Sequence, residues 1–329
     1  MQVSDAEAGG APGFRHQPVL LELIVELFAP VPAGWVVDAT VGGAGHASAL
    51  LEAHPHLRVL GLDQDEDALA AATRRLAPFG ERARLHHARF DALETIVQQL
   101  ETTPVSGVLF DLGVSSPQLD RAEWGFSYRH DAPLDMRMDR NQARTAADIV
   151  NQADEAELAR ILQLYGDERF ARRIARAIVA ARPVATTTEL AEIVRDAIPA
   201  PARRTGGHPA KRTFQAIRIA VNAELDVLPT AIDGAIAVLA PGGRCAALSY
   251  HSGEDRIVKA RFRHAATGGW TGPSHLPPPS DVHPAVRLLK AGSWTPSRAE
   301  STANPRASSA RLRAVEKLSV PDPTTGEAR

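Results

Sequence analysis

Three short apolar runs, each closed by an aspartate, constrain this chain more than any other feature: Trp35-Val-Val-Asp38, Arg58-Val-Leu-Gly-Leu-Asp63 and Val105 to Asp111. Brief runs of this kind, bounded by turn residues, read as strands buried on both faces of a parallel sheet. A strand that stops in an acid carries a carboxylate to the carboxyl edge of the sheet, where open α/β folds bind ligands. Ala83 to Ala88 supplies another strand, and helical stretches at His46 to Glu52 and Ala68 to Leu76 separate the runs. The alternation predicts a doubly wound parallel sheet.

After Asp111 the pattern changes. From Thr145 to Pro199 only helices are expected. Asp154 with Glu157 makes a capping box ahead of Leu158, Ile161, Leu162 and Tyr165, and Gly166 is expected to end that helix. Phe170, Ile174 and Ile178 mark the next apolar face, Pro183 stops it, and Thr186 with Glu189 caps another helix. Phe214, Ile217, Val221, Leu225 and Leu228 have the spacing of one further helix. Strands return at Gly243 to Tyr250, with two more expected at Val286 to Trp294 and Ala310 to Lys317. The reading is an α/β core in two parts, 1–118 and 217–329, with a helical insert at 119–216 between its fourth and fifth strands. Residues 1–13 and the tail after 320 are expected to be disordered, and the Pro/Gly-rich stretch 268–284 to be a mobile loop.

Composition removes several classes. No apolar stretch approaches the roughly 20 residues that span a bilayer, and 1–13 lacks the basic start and apolar core of a signal peptide. A single cysteine, Cys245, excludes an internal disulfide and fits a reducing cytoplasm; set among Ala246, Ala247 and Leu248 it reads as a core residue. The net charge of −2 does not mark a nucleic-acid binder. The charge is uneven, however. Arg203, Arg204, Lys211, Arg212 and Arg218 fall in a stretch without acids, and Arg256, Lys259, Arg261 and Arg263 form a second cluster. Only four of the 37 basic residues are lysine, so coding bias toward arginine and a phosphate-tracking surface are both open readings.

Two segments carry the chemistry. Asp38 to His46, DATVGGAGH, is a glycine-rich turn from strand to helix, and Asp63 follows Gly45 by 18 residues. Glycines let the backbone approach a ligand, and an acid at that spacing can accept hydrogen bonds from both ribose hydroxyls. A nucleoside-bearing cofactor follows. Gly43 to Ser48 lacks the last glycine of the dinucleotide fingerprint, which weighs against NAD. The second segment, Asp111 to Asp120 (DLGVSSPQLD), places an acid, a glycine and two hydroxyls at the fourth strand's end. With S-adenosylmethionine as the cofactor, its methyl would lie over this edge. Methylating a pyrimidine carbon needs an attacking thiolate, and Cys245 is a poor candidate, so nitrogen and oxygen acceptors remain.

Several blocks then resemble one known family: His16-x-Pro18-Val-Leu-Leu21, Asp38 to His46, Asp63-Gln-Asp65, Asp111 to Asp120, Gly125-Phe-Ser127 and Pro133 to Asp139. Tyr165-Gly166, Arg173 to Ile178, His208-Pro-Ala, Thr213 to Ile219, Val221-Asn222, His251-Ser252 with Glu254-Asp-Arg256, Asn304-Pro-Arg306 and Leu312-Arg313 continue the match in order. The chain resembles the RsmH (MraW) family of bacterial 16S rRNA cytosine-N4 methyltransferases. The resemblance implies a class I S-adenosylmethionine-dependent, Rossmann-like methyltransferase sheet with a helical insert. It implies S-adenosylmethionine bound by Ala44, Gly45, His46, Asp63, Phe90, Asp111 and Gln118. The implied substrate is the N4 amine of a decoding-centre cytosine of 16S rRNA in the small (30S) subunit, in the cytoplasm. Gly253, Trp124 and Ser308 stand where the family usually has leucine, arginine and arginine.

The cytosine amine is a poor nucleophile because its lone pair is delocalised, and an acceptor on its N–H would localise that pair. Asp111, Ser115, Ser116 and Asp135 are the catalytic candidates, with Asp135 equally readable as a salt-bridge partner of Arg137. His251 can line the base pocket or hydrogen-bond a loop. Phe126 and Tyr128 can stack on an extruded base or belong to the core. Arg203, Arg204, Lys211, Arg212, Arg218, Arg256 and Lys259 are the expected RNA-facing cations; no metal ligand is assigned. An NAD-dependent oxidoreductase, a non-catalytic ribosome-assembly factor and a methylase of proteins or small molecules are the competing readings.

Overall fold

The computed structural model describes residues 18–203, 207–272, 279 and 282–319. The expected leader at 1–13, the tail after 320, Arg204, the side chain of Ser116 and, within 268–284, residues 273–278, 280 and 281 lie outside the described residues. The strands are β1 (Gly34–Asp38), β2 (Leu57–Asp63), β3 (Ala83–His87), β4 (Val105–Asp111), β5 (Leu239–Ser249), β6 (Val286–Leu288) and β7 (Arg311–Lys317). They form one sheet in the order β3-β2-β1-β4-β5-β7-β6. The first five strands are parallel, and β7 runs antiparallel to both β5 and β6. Strand order reverses between β1 and β4. That switch point opens a crevice beyond the carboxyl ends of the strands.

Alternation along each strand splits the core in two. Val36, Val59, Leu109, Ala246, Leu248 and Leu312 face one side, where α1 (Leu21–Phe28), α2 (Gly45–Ala53) and α3 (Glu66–Leu76) contribute Ile24, Phe28, Leu50, Leu51 and Leu76. Trp35, Val37, Leu60, Val108, Phe110 and Cys245 face the other. That second cluster includes residues of α4 (Leu93–Gln99) and reaches without a break into the helices that follow β4. Buried side chains of about this size contribute some 1.5–3 kcal/mol each, so this apolar continuity holds the insert against the sheet.

Between β4 and β5 the chain runs through α5 (Ser116–Asp120), α6 (Ala146–Gln152), α7 (Glu155–Gly166), α8 (Ala171–Ala180), α9 (Thr187–Ala197), α10 (Ala200–Arg203), α11 (Lys211–Asn222) and α12 (Glu224–Val238). The expected caps are present: the Asp154 side chain accepts the Glu157 N–H, and Thr186 with Glu189 forms a reciprocal box. The helix α7 includes Gly166, and its left-handed cap is Asp167 at φ 47°. Glycine serves there for proximity, since a Cβ on Gly166 would lie 2.7 Å from the Arg212 carbonyl of α11.

Three expectations change. The single helix drawn through Phe214 and Leu228 is two helices, because Ala223 turns left-handed at φ 53° and ends α11. Apolar spacing carries on across that break and conceals it. Second, β6 stops at Leu288; Trp294 meets Leu312 through an isolated bridge instead. Third, β5 starts at Leu239, which pairs with Val105 ahead of a register shift. The helices α1, α13 (Ser252–Ala266) and α14 (Arg298–Ala303) complete the fold. No helix among the described residues is long and apolar enough to cross a membrane.

The end of α11 is fastened by one amide. Asn222 Oδ1 accepts the Met138 N–H at 2.9 Å, and its Nδ2 donates to the carbonyls of Met136 at 2.8 Å and Arg218 at 2.9 Å. This holds the Pro133 to Asp139 loop, where Met136 itself is left-handed at φ 59°. Replacing Asn222 by alanine strands buried polar groups at about 1–3 kcal/mol each. We expect Asn222→Ala to lose about 2–4 kcal/mol in a urea unfolding series, and a loss below about 0.5 kcal/mol would reject this role.

Candidate active site

The crevice is lined by the ends of β1, β2, β4 and β5. Asp38, closing β1, is buried at 2% exposure. Burial, then the Asp111 carboxylate and to a lesser degree Asp63, push its carboxyl up to about 8, against the Thr40 backbone N–H that favours the anion. The turn that follows bends through Gly42 at φ 49° and Ala44 at φ 58°. A Cβ on Gly45 would lie 2.4 Å from the Pro18 ring, whereas one on Gly43 would meet nothing within 4 Å. Gly45 is therefore held by packing, and Gly43 borders open space.

Asp63, closing β2, accepts the Gly42 N–H at 2.8 Å on one oxygen and the Asp65 N–H at 3.0 Å on the other. Burial raises it to about 6 despite those donors. The two bonds fix the carboxylate's plane and leave a further lone pair on each oxygen. Asp65 caps α3 with one oxygen and accepts Gln118 Nε2 with the other at 3.0 Å, while Gln118 Oε1 accepts the Ser115 N–H. The DLGVSSPQLD segment is thereby tied to the β2 edge. Gln64 lies against the Met138 sulfur at 3.1 Å, so the Pro133 to Asp139 loop reaches the same edge. Phe90 meets Phe110 edge-on at 6.0 Å.

Asp111, closing β4, is the accessible carboxylate, its side chain 27% exposed. Its backbone N–H donates to Thr40 Oγ1 at 2.6 Å, tying the ends of β1 and β4. One carboxylate oxygen accepts the Tyr250 hydroxyl at 2.7 Å; the other lies 3.5 Å from His46 Nδ1. Burial, followed by the Asp111 charge, raises the Tyr250 phenol well above its ordinary range, so it stays a donor. Ala44, Gly45, His46, Asp63, Asp111, Ser115 and Gln118 thus gather around one crevice.

Other candidates lie elsewhere or are committed. Asp135 is held by the Arg137 guanidinium through two bonds of 2.7 and 2.9 Å, with Arg140 at 3.5 Å; these partners prevail over burial and keep its carboxyl below the ordinary range. That is the salt-bridge alternative. His251 caps α13, its Nδ1 accepting the N–H groups of Gly253 and Glu254. Phe126 is a core residue, and Tyr128 stacks on His208 at 4.2 Å. Burial pushes the Cys245 thiol far up, leaving it inert as a nucleophile.

The cations divide. Lys211, Arg212, Arg256 and Lys259 are exposed. Arg212 donates to the Asp167 carbonyl at 2.8 Å and Arg256 lies 3.9 Å from the Asp167 carboxylate, so both clusters meet at the corner after α7. Ser252, just past the end of β5, donates to the same Asp167 side chain at 2.9 Å. Arg203 spends two bonds on the Ile198 and Asp196 carbonyls. Arg218 corrects the sequence reading: its guanidinium is 13% exposed and pairs twice with Glu224 at 2.8 Å, so it faces the interior and not RNA. The sequence reading missed Thr40, Asp65 and Tyr250. The first two lie inside motifs already singled out, and Tyr250 directly follows β5, one position past a strand end.

A family model described as the MraW methylase family matches residues 13–318. The chain is similar to a protein of Thermobifida fusca named ribosomal RNA small subunit methyltransferase H, 54% identical over 319 residues that cover 95% of this chain and 96% of the relative. Proteins of the same name from Frankia alni and Saccharopolyspora erythraea are 53% and 52% identical, again over 95% of this chain and over 99% and 96% of their own lengths.

Two outcomes follow from the charges. A carboxyl whose folded pKa exceeds its unfolded one stabilises the fold fully below the unfolded value, and that contribution is lost as pH rises through the folded value. Asp38 therefore weighs increasingly against the fold between about 4 and about 8. We expect Asp38→Asn, which keeps an acceptor for Thr40, to gain stability over the parent as pH rises across that window, by at most on the order of 5 kcal/mol in paired denaturant titrations. A difference that is flat with pH would reject a protonated Asp38. Arg218→Ala strands Glu224 and should cost about 3–5 kcal/mol, most of it recovered by Arg218→Met with Glu224→Leu; the thermal midpoints of both variants check this.

Proposed function

This chain belongs to the MraW methylase family, and from that premise we infer that it methylates small-subunit ribosomal RNA with S-adenosylmethionine as donor. We propose further that the acceptor is the N4 amine of the decoding-centre cytosine conventionally numbered 1402, acted on within the 30S particle in the bacterial cytoplasm. The observation that carries this reading is the crevice at the switch point, where a glycine turn and the strand-end carboxylates of Asp63 and Asp111 surround one accessible edge.

The residues suit such a donor. Gly43 borders open space beside the turn, and Asp63 stands opposite with its plane fixed by two backbone N–H groups. In this reading Asp63 accepts from the ribose hydroxyls, the backbone from Ala44 to His46 flanks the amino-acid portion, Phe90 covers the base, and Gln118 locks the wall through Asp65. The donor supplies an electrophilic methyl carbon on sulfur. Alignment of donor and acceptor is the main demand of an in-line displacement, and Asp111, exposed at the end of β4, is placed to accept a hydrogen bond from the incoming amine. Ser115 and Ser116 are secondary candidates; Asp135 acts through the loop that it and Arg137 shape. Lys211, Arg212, Arg256 and Lys259, with Arg203 at the margin, form the proposed phosphate-tracking surface; the corner after α7 brings Arg212 and Arg256 beside the β5 end of the crevice.

The deciding experiment supplies methyl-labelled S-adenosylmethionine with small subunits, naked rRNA or bulk protein and locates the label by nucleoside analysis. Label in N4-methylated cytosine of small subunits is expected; label in protein, or none with any substrate, defeats the reading. Asp63→Ala should weaken donor binding by roughly 2–3 kcal/mol in calorimetry, the loss expected for bonds to a charged acceptor, with rRNA affinity unchanged. Binding to rRNA should weaken steeply with salt, and Arg256→Ala and Lys259→Ala should each lower the log–log slope by about 1. Equal slopes for parent and variants would remove those residues from the surface.

A further inference from the structure

Resting on that reading of the site, we propose that His46, Asp111 and Tyr250 act as one proton-accepting assembly: Asp111 takes the proton given up by the methylated amine, His46 shares it from behind, and Tyr250 holds the carboxylate in position.

The hydrogen on His46 is dictated by its surroundings. Nε2 lies 3.0 Å from the Val19 carbonyl, which offers only lone pairs, so Nε2 must be the nitrogen that carries hydrogen. In a neutral ring Nδ1 is then bare, and it faces Asp111 Oδ2 at 3.5 Å. A bare nitrogen opposite a carboxylate oxygen sets two lone pairs against each other. One proton on either atom turns that repulsion into an attraction. The fold has therefore built, behind the accessible edge, a place for one more proton.

Tyr250 decides which oxygen receives it. Its hydroxyl donates to Asp111 Oδ1 at 2.7 Å, which makes that oxygen less basic and leaves Oδ2 the favoured one for the arriving proton. Its backbone N–H donates to Glu254 at 2.7 Å, which fixes the start of the segment. Exposure agrees with the division of labour, because the Asp111 side chain is 27% exposed and that of His46 only 6%. Substrate reaches the carboxylate and not the ring. The titratable groups around the assembly are Asp38 from β1 and Asp63 beyond it from β2, with Glu300 on α14 and Glu254 on α13 behind Tyr250, the last of these offset by His251 and Arg218.

In the step itself the amine nitrogen forms its bond to the methyl carbon while the carbon–sulfur bond breaks, its electron pair passing to sulfur. The nitrogen, now with one hydrogen too many and a positive charge, loses that hydrogen as a proton to Asp111 Oδ2. The product amine is left neutral, and the proton rests between Oδ2 and Nδ1 until solvent removes it. Asp111 is the catalytic residue in this scheme; His46 and Tyr250 are positioning residues.

The test has two arms. In donor-free protein, nitrogen NMR of labelled histidine should show His46 with hydrogen on Nε2 throughout a pH series, and with Nδ1 taking up a proton on acidification less readily in Asp111→Asn than in the parent. A ring with bare Nε2, or uptake indifferent to Asp111→Asn, overturns the proposal. In the methylation assay, His46→Gln keeps an N–H for Val19 but has no ring nitrogen to protonate. Its kcat should fall about 10–100-fold with the donor KM within about twofold, and the acidic limb of the kcat profile should change shape. Tyr250→Phe should lower kcat about fivefold, the size of one hydrogen bond, and move the acidic limb to higher pH, since the anion loses a donor. Profiles that superimpose on the parent in both variants overturn the assignment. If the parent methylates no RNA, the functional reading fails while the nitrogen spectra still decide the assembly. Should His46→Gln not fold, the spectra of the parent and Asp111→Asn carry the decision.

Discussion

The crowding of carboxylates at the switch point is the constraint on which the rest of the structure depends. Asp38, Asp63 and Asp111 close three neighbouring strands, with Asp38 buried between the other two. Burial raises two of them, and Asp38 also feels Asp111. Like charges brought together in low dielectric oppose folding, and the fold answers with fixed donors from Thr40, Gly42, Asp65 and Tyr250. These donors come from the turns after β1 and β2 and from the end of β5. The geometry of the edge is thus a shared property of several segments.

That sharing explains the insert. Its helices are joined to the sheet by apolar side chains, and polar links such as Gln118 to Asp65, Gln64 to Met138 and Asn222 to the Met136–Met138 backbone carry its position to the crevice. Interiors that are densely packed transmit small displacements. A shift of α11 therefore moves the Pro133 to Asp139 loop, and with it one wall of the site. The corner at Asp167 makes the same connection on the other side, joining exposed arginines to Ser252 at the end of β5.

Much of this was legible in the sequence, for reasons particular to each element. β1, β2 and β4 announce themselves because a strand covered on both faces needs an unbroken apolar run. The caps at Asp154 and Thr186 are local hydrogen-bond chemistry and depend on nothing distant. The glycine turn and the spacing to Asp63 are likewise local. What escaped reading depends on partners far along the chain. Nothing around Arg218 tells that Glu224 will claim it, because the break at Ala223 folds that acid back across an apparently continuous helical face. Gly166 looks like a helix stop, yet it is small because α11 crosses it. Tyr250 is one more residue after a strand until β4 sets Asp111 beside it.

The placement of β7 has a consequence for how the molecule is made. Among the described residues it is the last strand in chain order, yet it lies inside the sheet between β5 and β6. Until it emerges, β5 presents an unpaired rim, and such rims invite pairing with other chains. The same late segment carries Arg313, whose guanidinium grips Asp255 on α13 at 2.8 and 3.1 Å. The strands that frame the switch point all precede β7 in the chain, so the border of β5 is the last part of the central sheet to be covered.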